Sequence, residues 1–349
     1  MTSLLLANQT EFNTVKVGQN FSAVIGSFDS SFADYLHQLD AIEYVEPNQK
    51  YKAAHVLDKR SMQTDPAVKS WGLSRISQRN LGDLRASAYD DSIEGDGVHV
   101  YIFDTGINAH HPDFEGRVVS EGNFVDTEPD KDTSGHGTHV AGTVGGATFG
   151  VAKKVQLHSV KVLDHQGDGD TVALIKALSH VSKVAPPGKS IINLSLVGPH
   201  SQAIDDAIAT AANDHNIPVF VAAGNSADDA CLYTPSSNPF VMTVGATTKN
   251  DEIASFSSYG SCVQLYAPGE DIISAWNDGD SHSMRGTSMA NPHVSGIAAL
   301  LLSQRSYVSV NDLYADMQAM ATKDMIKVPD TKMNLPNNNL LAFTGFSSH

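Results

Sequence analysis

The chain has 349 residues, which at roughly 100–200 residues per domain allows one large domain and a smaller one. Hydrophobic residues make up 41% of the chain, enough for a sizeable core. The net charge of −16 argues against a nucleic-acid-binding surface, because such surfaces neutralise phosphates with Lys and Arg. No apolar run approaches the roughly 18 residues of a spanning helix. These values favour a soluble enzyme over a membrane or nucleic-acid-binding protein.

The first segment of the chain has the pattern of a small α+β unit. Alternation of apolar and polar residues predicts strands over 15–17, 21–25 and 42–45. Apolar residues at helical spacing predict a helix over 30–39, with Ser30 or Ser31 as its cap. The polar stretch 48–70 shows little periodicity and is interpreted as an exposed linker, a preferred place for proteolytic cleavage.

From about residue 71 the pattern alternates between apolar strands and helices. The predicted strands cover 98–103, 155–163, 191–194, 219–222 and 241–244, and the predicted helices cover 171–184, 202–214 and 288–302. Buried strands separated by helices indicate an α/β domain with a mainly parallel β-sheet flanked by helices. Ligands of such sheets bind beyond the carboxyl ends of the strands.

Four polar residues fall at these strand ends or at a helix start. Asp104 and Asn225 each follow a predicted strand, His136 lies between glycines, and Ser288 precedes the last apolar helix. Each one alone is typical of a turn, a cap or a structural histidine. Together they supply a nucleophile, a general base, a carboxylate that orients the base, and an amide donor for an oxyanion.

A zinc site is disfavoured at the histidines. His136 and His139 are three residues apart, and no Glu follows the first of them, so the string is not the HExxH motif of zinc peptidases.

The chain order Asp104, His136, Asn225, Ser288 resembles that of the subtilisin-like serine proteases (subtilases). The residues around His136 and around Ser288 resemble the same family. The resemblance covers about residues 71–306. Within that family the chain is most similar to the proteinase K branch, and there to the cerevisin-like vacuolar proteases of fungi.

The resemblance implies a role for each of the four residues. Ser288 would attack the scissile carbonyl, His136 would move its proton, and Asp104 would orient the imidazole. Asn225 and the Ser288 N–H would bind the oxyanion. The residues implied to bind an extended polypeptide substrate are Gly167, Asp168, Gly169, Ser195, Leu196, Val197, Ala222, Ala223 and Gly224.

Two departures from the family pattern affect expectations about specificity and metal binding. Val197 stands where the family usually has Gly, so we expect a narrowed primary pocket that prefers small residues, or a weakened enzyme. Gln264 stands where proteinase K-like proteins usually carry a calcium-binding Asp. Pro239 and Val241 could still offer carbonyl ligands, but a tight calcium site is not expected. No cofactor is implied to be required.

The chain contains two cysteines, Cys231 and Cys262. Their spacing alone is compatible with two buried thiols or with one disulfide. The resemblance favours the disulfide, which would imply an oxidising compartment.

The resemblance also implies a self-processed zymogen. Residues 1–50 resemble the second half of an inhibitor-type propeptide, 51–70 would be the processing linker, and 71–349 the catalytic domain. Asn48–Lys52 would lie in the active site after processing, with the propeptide as intramolecular inhibitor. The expected protein is a monomer of a vacuole or the extracellular space, although no signal peptide is recognisable in this sequence.

Two other functions remain as alternatives. A pseudoprotease of the same fold would bind peptides without turnover, and Val197 together with the short propeptide favours it. A hydrolase of small esters would use the same triad. The intact set of four residues argues against the first alternative, and two extended substrate strands argue against the second.

Overall fold

The amino-terminal part of the chain forms a hairpin and one short helix. The computed structural model describes residues 13–56, 70–85, 87–332 and 336–346. Strands β1 (Asn13–Val17) and β2 (Phe21–Ile25) pair antiparallel, as their alternation predicted. Helix α1 (Ser30–Leu36) begins after Asp29, whose carboxylate accepts the Phe32 N–H, so Asp29 is the cap in place of the expected serines. The strand predicted over 42–45 is absent, which corrects that prediction.

The rest of the chain contributes most of the strands. They are β3 (Lys50–Ala53), β4 (His99–Asp104), β5 (Val118–Asn123), β6 (Gln156–Lys161), β7 (Asp168–Asp170), β8 (Ser190–Leu194), β9 (Leu196–Val197), β10 (Val219–Ala222), β11 (Val241–Thr247), β12 (Leu265–Pro268), β13 (Ile272–Ala275), β14 (Ser281–Met284), β15 (Thr322–Lys323) and β16 (Leu340–Leu341). The further α-helices are α2 (Trp71–Ile76), α3 (His136–Gly145), α4 (Thr171–Val184), α5 (Gln202–His215), α6 (Thr287–Gln304) and α7 (Val310–Met320).

Nine of these strands form the central sheet, in the order β15-β16-β12-β11-β10-β8-β4-β6-β5. All neighbouring pairs are parallel except β15 with β16. The mainly parallel α/β architecture predicted from the sequence is therefore confirmed. Because the strands are buried on both faces, they appear in the sequence as continuous apolar runs.

The helices divide the hydrophobic core into two layers. Residues of α3 and α6 pack on one face of the sheet, and residues of α4 and α5 pack on the other. The hairpin β1–β2 lies against α4 and α5, with Val15 and Val17 buried in that second layer. Helix α6 is buried along nearly its whole length, which explains why apolar residues occur on every side of its second half.

Strand β3 lies within the stretch 48–70 that the sequence indicated as an exposed linker. It is the middle strand of a separate three-stranded antiparallel sheet, β7-β3-β9. Tyr51 is fully buried and Ala54 is 3% exposed. Residues 50–54 are therefore a paired strand and its continuation, not an unstructured linker, and the side chains of Lys50 and Lys52 are the exposed part of it.

Candidate active site

The four candidate residues meet at the carboxyl edge of the central sheet. Asp104 is the last residue of β4, His136 the first of α3, and Ser288 the second of α6. Asn225 follows the end of β10, the strand two places from β4 in the sheet. Asp104, His136 and Ser288 are at most 1% exposed. Parallel topology thus gathers side chains that are far apart in the sequence.

Asp104 and His136 form a short buried contact. The Nδ1 atom of His136 lies 2.6 Å from Oδ1 of Asp104, which also accepts the Thr105 N–H at 2.7 Å. Because a carboxylate accepts, we assign the imidazole proton to Nδ1. Nε2 is then an acceptor, and it is buried without a hydrogen-bond partner among the described residues. The ring is ready to take a proton at Nε2.

The glycines beside His136 have a steric reason. A Cβ on Gly137 would lie 2.1 Å from the carbonyl oxygen of Gly106, and a Cβ on Gly135 would lie 2.3 Å from the Trp276 ring. Gly135 also has φ of 102°, a conformation that favours glycine. These contacts fix the start of α3, and with it the position of the histidine.

A fifth residue, Asp132, binds backbone N–H groups at the start of α3, although no sequence motif marks it. Its Oδ1 accepts from Thr105 Oγ1 at 2.8 Å and from the backbone N–H groups of Ser134 and Gly135 at 3.0 and 2.8 Å. Its Oδ2 accepts from the N–H and hydroxyl of Thr138 at 3.0 and 2.6 Å. The only local signal is an acidic residue just before a helix, which is typical of a cap.

Ser288 and Asn225 converge on the carbonyl group of Ala54. The Ser288 N–H donates to the Ala54 oxygen at 2.9 Å. Asn225 accepts from Thr287 N–H and Oγ1 through Oδ1, at 2.9 and 3.1 Å, and this sets the orientation of its amide. A Cβ on Gly286 would lie 2.6 Å from the Ala54 oxygen and 3.3 Å from Asn225 Nδ2. The Asn225 Nδ2 atom lies near this carbonyl but is buried without a hydrogen-bond partner among the described residues.

The Ser288 hydroxyl makes a different contact from the one that catalysis needs. It donates to the carbonyl oxygen of Ser195 at 2.8 Å. A rotation about its Cα–Cβ bond is required before Oγ can donate to His136 Nε2. Ser288 Oγ and His136 Nε2 are thus not hydrogen-bonded to each other.

The strand that carries Ala54 crosses the cleft as an extended chain. Ala53 N–H donates to Gly167 O at 2.8 Å, and Ala54 N–H donates to Ser195 O at 3.0 Å. Beyond Ala54 the chain continues without a break, and Val56 N–H donates to the carbonyl of Arg285 at 2.9 Å. The two segments expected to bind a polypeptide, Gly167–Gly169 and Ser195–Val197, flank a segment of the chain itself.

Tyr51 fills a pocket at the far end of this strand. A Cβ on Gly198 would lie 2.4 Å from the Tyr51 ring, so glycine is required for the ring to pack there. The Tyr51 hydroxyl donates to the carbonyl of Pro199 at 2.8 Å. Burial raises the pKa of this phenol, so it remains a donor at all ordinary pH values.

Val197, expected to narrow the primary pocket, faces the turn after β10. A Cβ on Gly224 would lie 3.8 Å from Cγ1 of Val197, so the valine methyl faces this glycine across a narrow space. Gly224 has φ of 104° and accepts the Ser258 N–H at 2.9 Å. Ala222 and Ala223 precede it, both fully buried.

His55, the residue after Ala54, lies against the candidate base. Its ring centroid is 4.9 Å from that of His136. Burial and the neighbouring His136 lower the pKa of His55 to about 4, so it is neutral at physiological pH. His55 therefore adds no positive charge beside His136 at that pH.

Of the two carbonyls considered for calcium, that of Val241 already accepts a side-chain hydrogen bond. Gln264 Nε2 donates to Val241 O at 3.1 Å, and Gln264 Oε1 accepts the Thr243 N–H. A calcium ion needs free carbonyl and carboxylate oxygens. Gln264 therefore occupies the Val241 carbonyl, one of the two oxygens considered for calcium.

Cys231 and Cys262 form a disulfide with a Cα–Cα distance of 5.4 Å. The pairing that the resemblance implied is confirmed. The bridge joins the segment after Asn225 to the loop before β12. Among the described helices, none is long and apolar enough to cross a membrane.

Comparison with known proteins agrees with this geometry. The subtilase family model matches residues 95–340, so the chain belongs to the subtilase family, a family of serine-type endopeptidases. The chain is 41% identical over 314 residues to the alkaline serine exoprotease A of Vibrio alginolyticus. That match covers 87% of this chain and 58% of the relative, so the chain spans little more than half of that protein.

Other relatives are covered more fully. A subtilisin-like protease of Coccidioides posadasii is 44% identical over 294 residues, which is 83% of this chain and 71% of that protein. The crystal structure of a cold adapted subtilisin-like serine proteinase superimposes with a TM-score of 0.73 at 41% identity. It covers 78% of this chain and 97% of its own.

Proposed function

We propose that the chain is a serine endopeptidase zymogen that cleaves itself between Ala54 and His55. The observation that carries this proposal is the Ala54 carbonyl, which accepts the Ser288 N–H at 2.9 Å and lies beside Asn225 Nδ2. Asn225 Nδ2 is buried without a partner among the described residues, so it is available to donate to an oxyanion formed at Ala54, together with the Ser288 N–H.

The chemistry follows from the contacts around that carbonyl. After rotation, Ser288 Oγ gives its proton to His136 Nε2 and attacks the Ala54 carbon. The oxyanion takes the hydrogen bonds of the Ser288 N–H and Asn225. His136 then protonates the nitrogen of His55 as the peptide bond breaks, leaving an Ala54 ester on Ser288. Water, deprotonated by His136, releases the ester, and Asp104 orients the imidazole throughout.

We further propose that residues 13–54 act as the intramolecular inhibitor. Besides β3, Glu46 supports this assignment because its carboxylate accepts from Ser201 Oγ and from the N–H groups of Gln202 and Ala203, at 3.0, 2.8 and 3.0 Å. The two N–H groups belong to the first turn of α5 and have no partner within the helix, and a negative charge is stabilised at that end of a helix. The boundary of the inhibitor is then Ala54, a few residues beyond the one expected at 50.

We also propose that the chain lies in the proteinase K branch, near the cerevisin-like proteases, with an inhibitor-type propeptide. The placement in that branch is supported by the strings at 71–76 and 229–231. The disulfide favours an oxidising location such as a vacuole or the extracellular space. We propose polypeptide substrates and a monomeric enzyme.

The test is self-processing of the full chain. We expect the wild type to convert to a product whose amino-terminal residue is His55, as read by intact mass and terminal sequencing. The Ser288→Ala variant should stay at full length, and the control Ser303→Ala, in the same helix, should process like the wild type. If the wild type folds and stays uncut, the pseudoprotease alternative is preferred. Cleavage in both wild type and Ser288→Ala would remove Ser288 as nucleophile.

A further inference from the structure

Strand β3 presents two chemically distinct faces to the cleft. Tyr51 is fully buried against the protein, whereas the side chains of Lys50 and Lys52 are 75% and 73% exposed. This is the alternation expected of a strand. Side chains at alternate positions before the proposed cleavage site therefore contact different parts of the cleft.

The two lysines lie directly opposite two carboxylates of β7. In the antiparallel register Lys50 pairs with Asp170, and Lys52 pairs with Asp168. The distances from Nζ to the nearest carboxylate oxygen are 3.7 and 3.5 Å. Directly opposed cross-strand pairs of opposite charge favour pairing of the two strands. The cleft therefore carries a carboxylate at alternate positions of one substrate-binding strand.

We propose that Asp168 and Asp170 are specificity-determining residues that select basic side chains at the third and fifth residues before the scissile bond. This inference rests on the proposed function, because it counts positions from the Ala54–His55 bond. The substrate class is an extended polypeptide with Lys or Arg at those two positions, a large aromatic residue between them, and a small residue at the bond.

The arrangement outlasts removal of the inhibitor strand. Asp170 also caps α4, since its Oδ1 accepts the Ala173 N–H at 3.0 Å, and this contact holds it at the rim of the cleft. Asp168 lies two residues earlier on the same strand. When β3 leaves, both carboxylates lose their lysines and become available to a substrate. The net charge of −16 adds a general attraction for basic chains.

The expected size of the effect is set by exposure. Ion pairs with solvent-exposed lysines are screened, and each changes an equilibrium by about 1.5- to 5-fold. We therefore expect a preference for Lys over Gln of about that size at each position in kcat/KM, and about their product when both are Lys. The preference should shrink in 0.5 M NaCl because the Debye length falls well below that at physiological ionic strength.

The experiment compares four peptides with the self-processed enzyme. Each follows residues 49–56 of the chain, with Lys or Gln at the positions of Lys50 and Lys52. The enzymes are wild type, Asp168→Asn, Asp170→Asn and a charge-matched control, Asp96→Asn. Asp96 lies before the amino end of β4, whereas the cleft lies at the carboxyl ends of the strands. Asparagine is chosen because it preserves the cap of α4.

The expected result is a site-by-site loss of preference. Asp168→Asn should lose only the preference at the third residue, Asp170→Asn only that at the fifth, and Asp96→Asn neither. The inference is overturned if the wild type cleaves all four peptides at equal kcat/KM. It is also overturned if either cleft variant keeps the preference assigned to its carboxylate.

A second measurement separates this inference from the proposed function. In the uncut Ser288→Ala chain, Lys52→Gln should lower the Tm, and the shift should vanish when Asp168 is already Asn. Failure of every enzyme to cleave any peptide would refute the proposed function, while this coupling would still report whether the carboxylate recognises the lysine. Additive Tm shifts would refute the pairing itself.

Discussion

The carboxylate of Asp132 provides a quantitative test of how the candidate base is held. It accepts five hydrogen bonds, three of them from backbone N–H groups at the start of α3. The residue is 7% exposed, so water cannot replace these acceptors freely. In Asp132→Asn, an NH₂ group faces the Thr138 N–H, which is left without an acceptor.

The cost of that change can be estimated from the contacts. One buried unsatisfied N–H destabilises by about 1–3 kcal/mol, so we expect Asp132→Asn to lower the free energy of unfolding by about 2 kcal/mol. Asp132→Ala leaves three such groups, and we expect a loss of about 4 kcal/mol or more. The control Asp126→Asn, at an exposed position nearby, should stay within about 0.5 kcal/mol of the parent.

Urea denaturation in the Ser288→Ala background measures these differences without self-digestion. In the active enzyme, we expect Asp132→Asn to lower kcat by about tenfold or more, with little change in KM. The reason is that α3 carries His136 while the substrate strands lie elsewhere. Equal urea midpoints for Asp132→Asn and Asp126→Asn would refute the role assigned to this network, as would a rise in KM at unchanged kcat.

Three further outcomes follow from the site and its surroundings. Val197→Gly should raise kcat/KM for cleavage after Phe or Leu by about tenfold or more relative to cleavage after Ala, and an unchanged ratio would refute the narrowed pocket. Burial lowers the pKa of His139 to about 3 and that of His293 to about 4, so the unfolded chain takes up protons first as pH falls below 6.5. The free energy of unfolding should therefore fall by about 2 kcal/mol per histidine between neutral pH and pH 5. His293→Asn should reduce the pH slope of this free energy by about one proton, and an unchanged slope would contradict the role of burial. Gln264→Asp should free the Val241 carbonyl and make the Tm rise with added calcium, whereas calcium should not act at this position in the parent; a variant Tm insensitive to calcium would show that these oxygens cannot form a site.

Long periodic segments were the most predictable part of this fold. Helix α4 has the predicted bounds, and α5 and α6 differ from theirs by no more than two residues at either end. In each, the sequence alone carries the information, because apolar spacing and caps such as Ser201 are local. The sequence also predicted that Asp104, His136 and Ser288 lie at strand ends or a helix start, whereas their roles came only from the resemblance to the subtilases.

Strand β3 could not be predicted from local sequence. Its stretch is polar, and its hydrogen-bond partners lie more than 100 residues away, in β7 and β9. Only pairing with those strands gives Tyr51 a pocket and the lysines their carboxylates. Residues 42–45 show the opposite case: their sequence alternates as a strand does, but no strand among the described residues pairs with them, so they do not form one. The role of Asp132 could not be predicted from local sequence either, because it depends on where the start of α3 lies in the fold.

The two faces of β3 should respond differently to salt, and this links the inhibitor to the enzyme's specificity. The contacts of Lys50 and Lys52 are exposed ion pairs, which added salt screens. The burial of Tyr51 is apolar and is not weakened in this way. Moderate salt should therefore loosen the inhibitor strand only in part, and the remaining affinity should come from Tyr51 and the backbone pairing. If a substrate occupies the same cleft through the same contacts, as we propose, the conditions that speed release of β3 should also reduce the selection for basic residues.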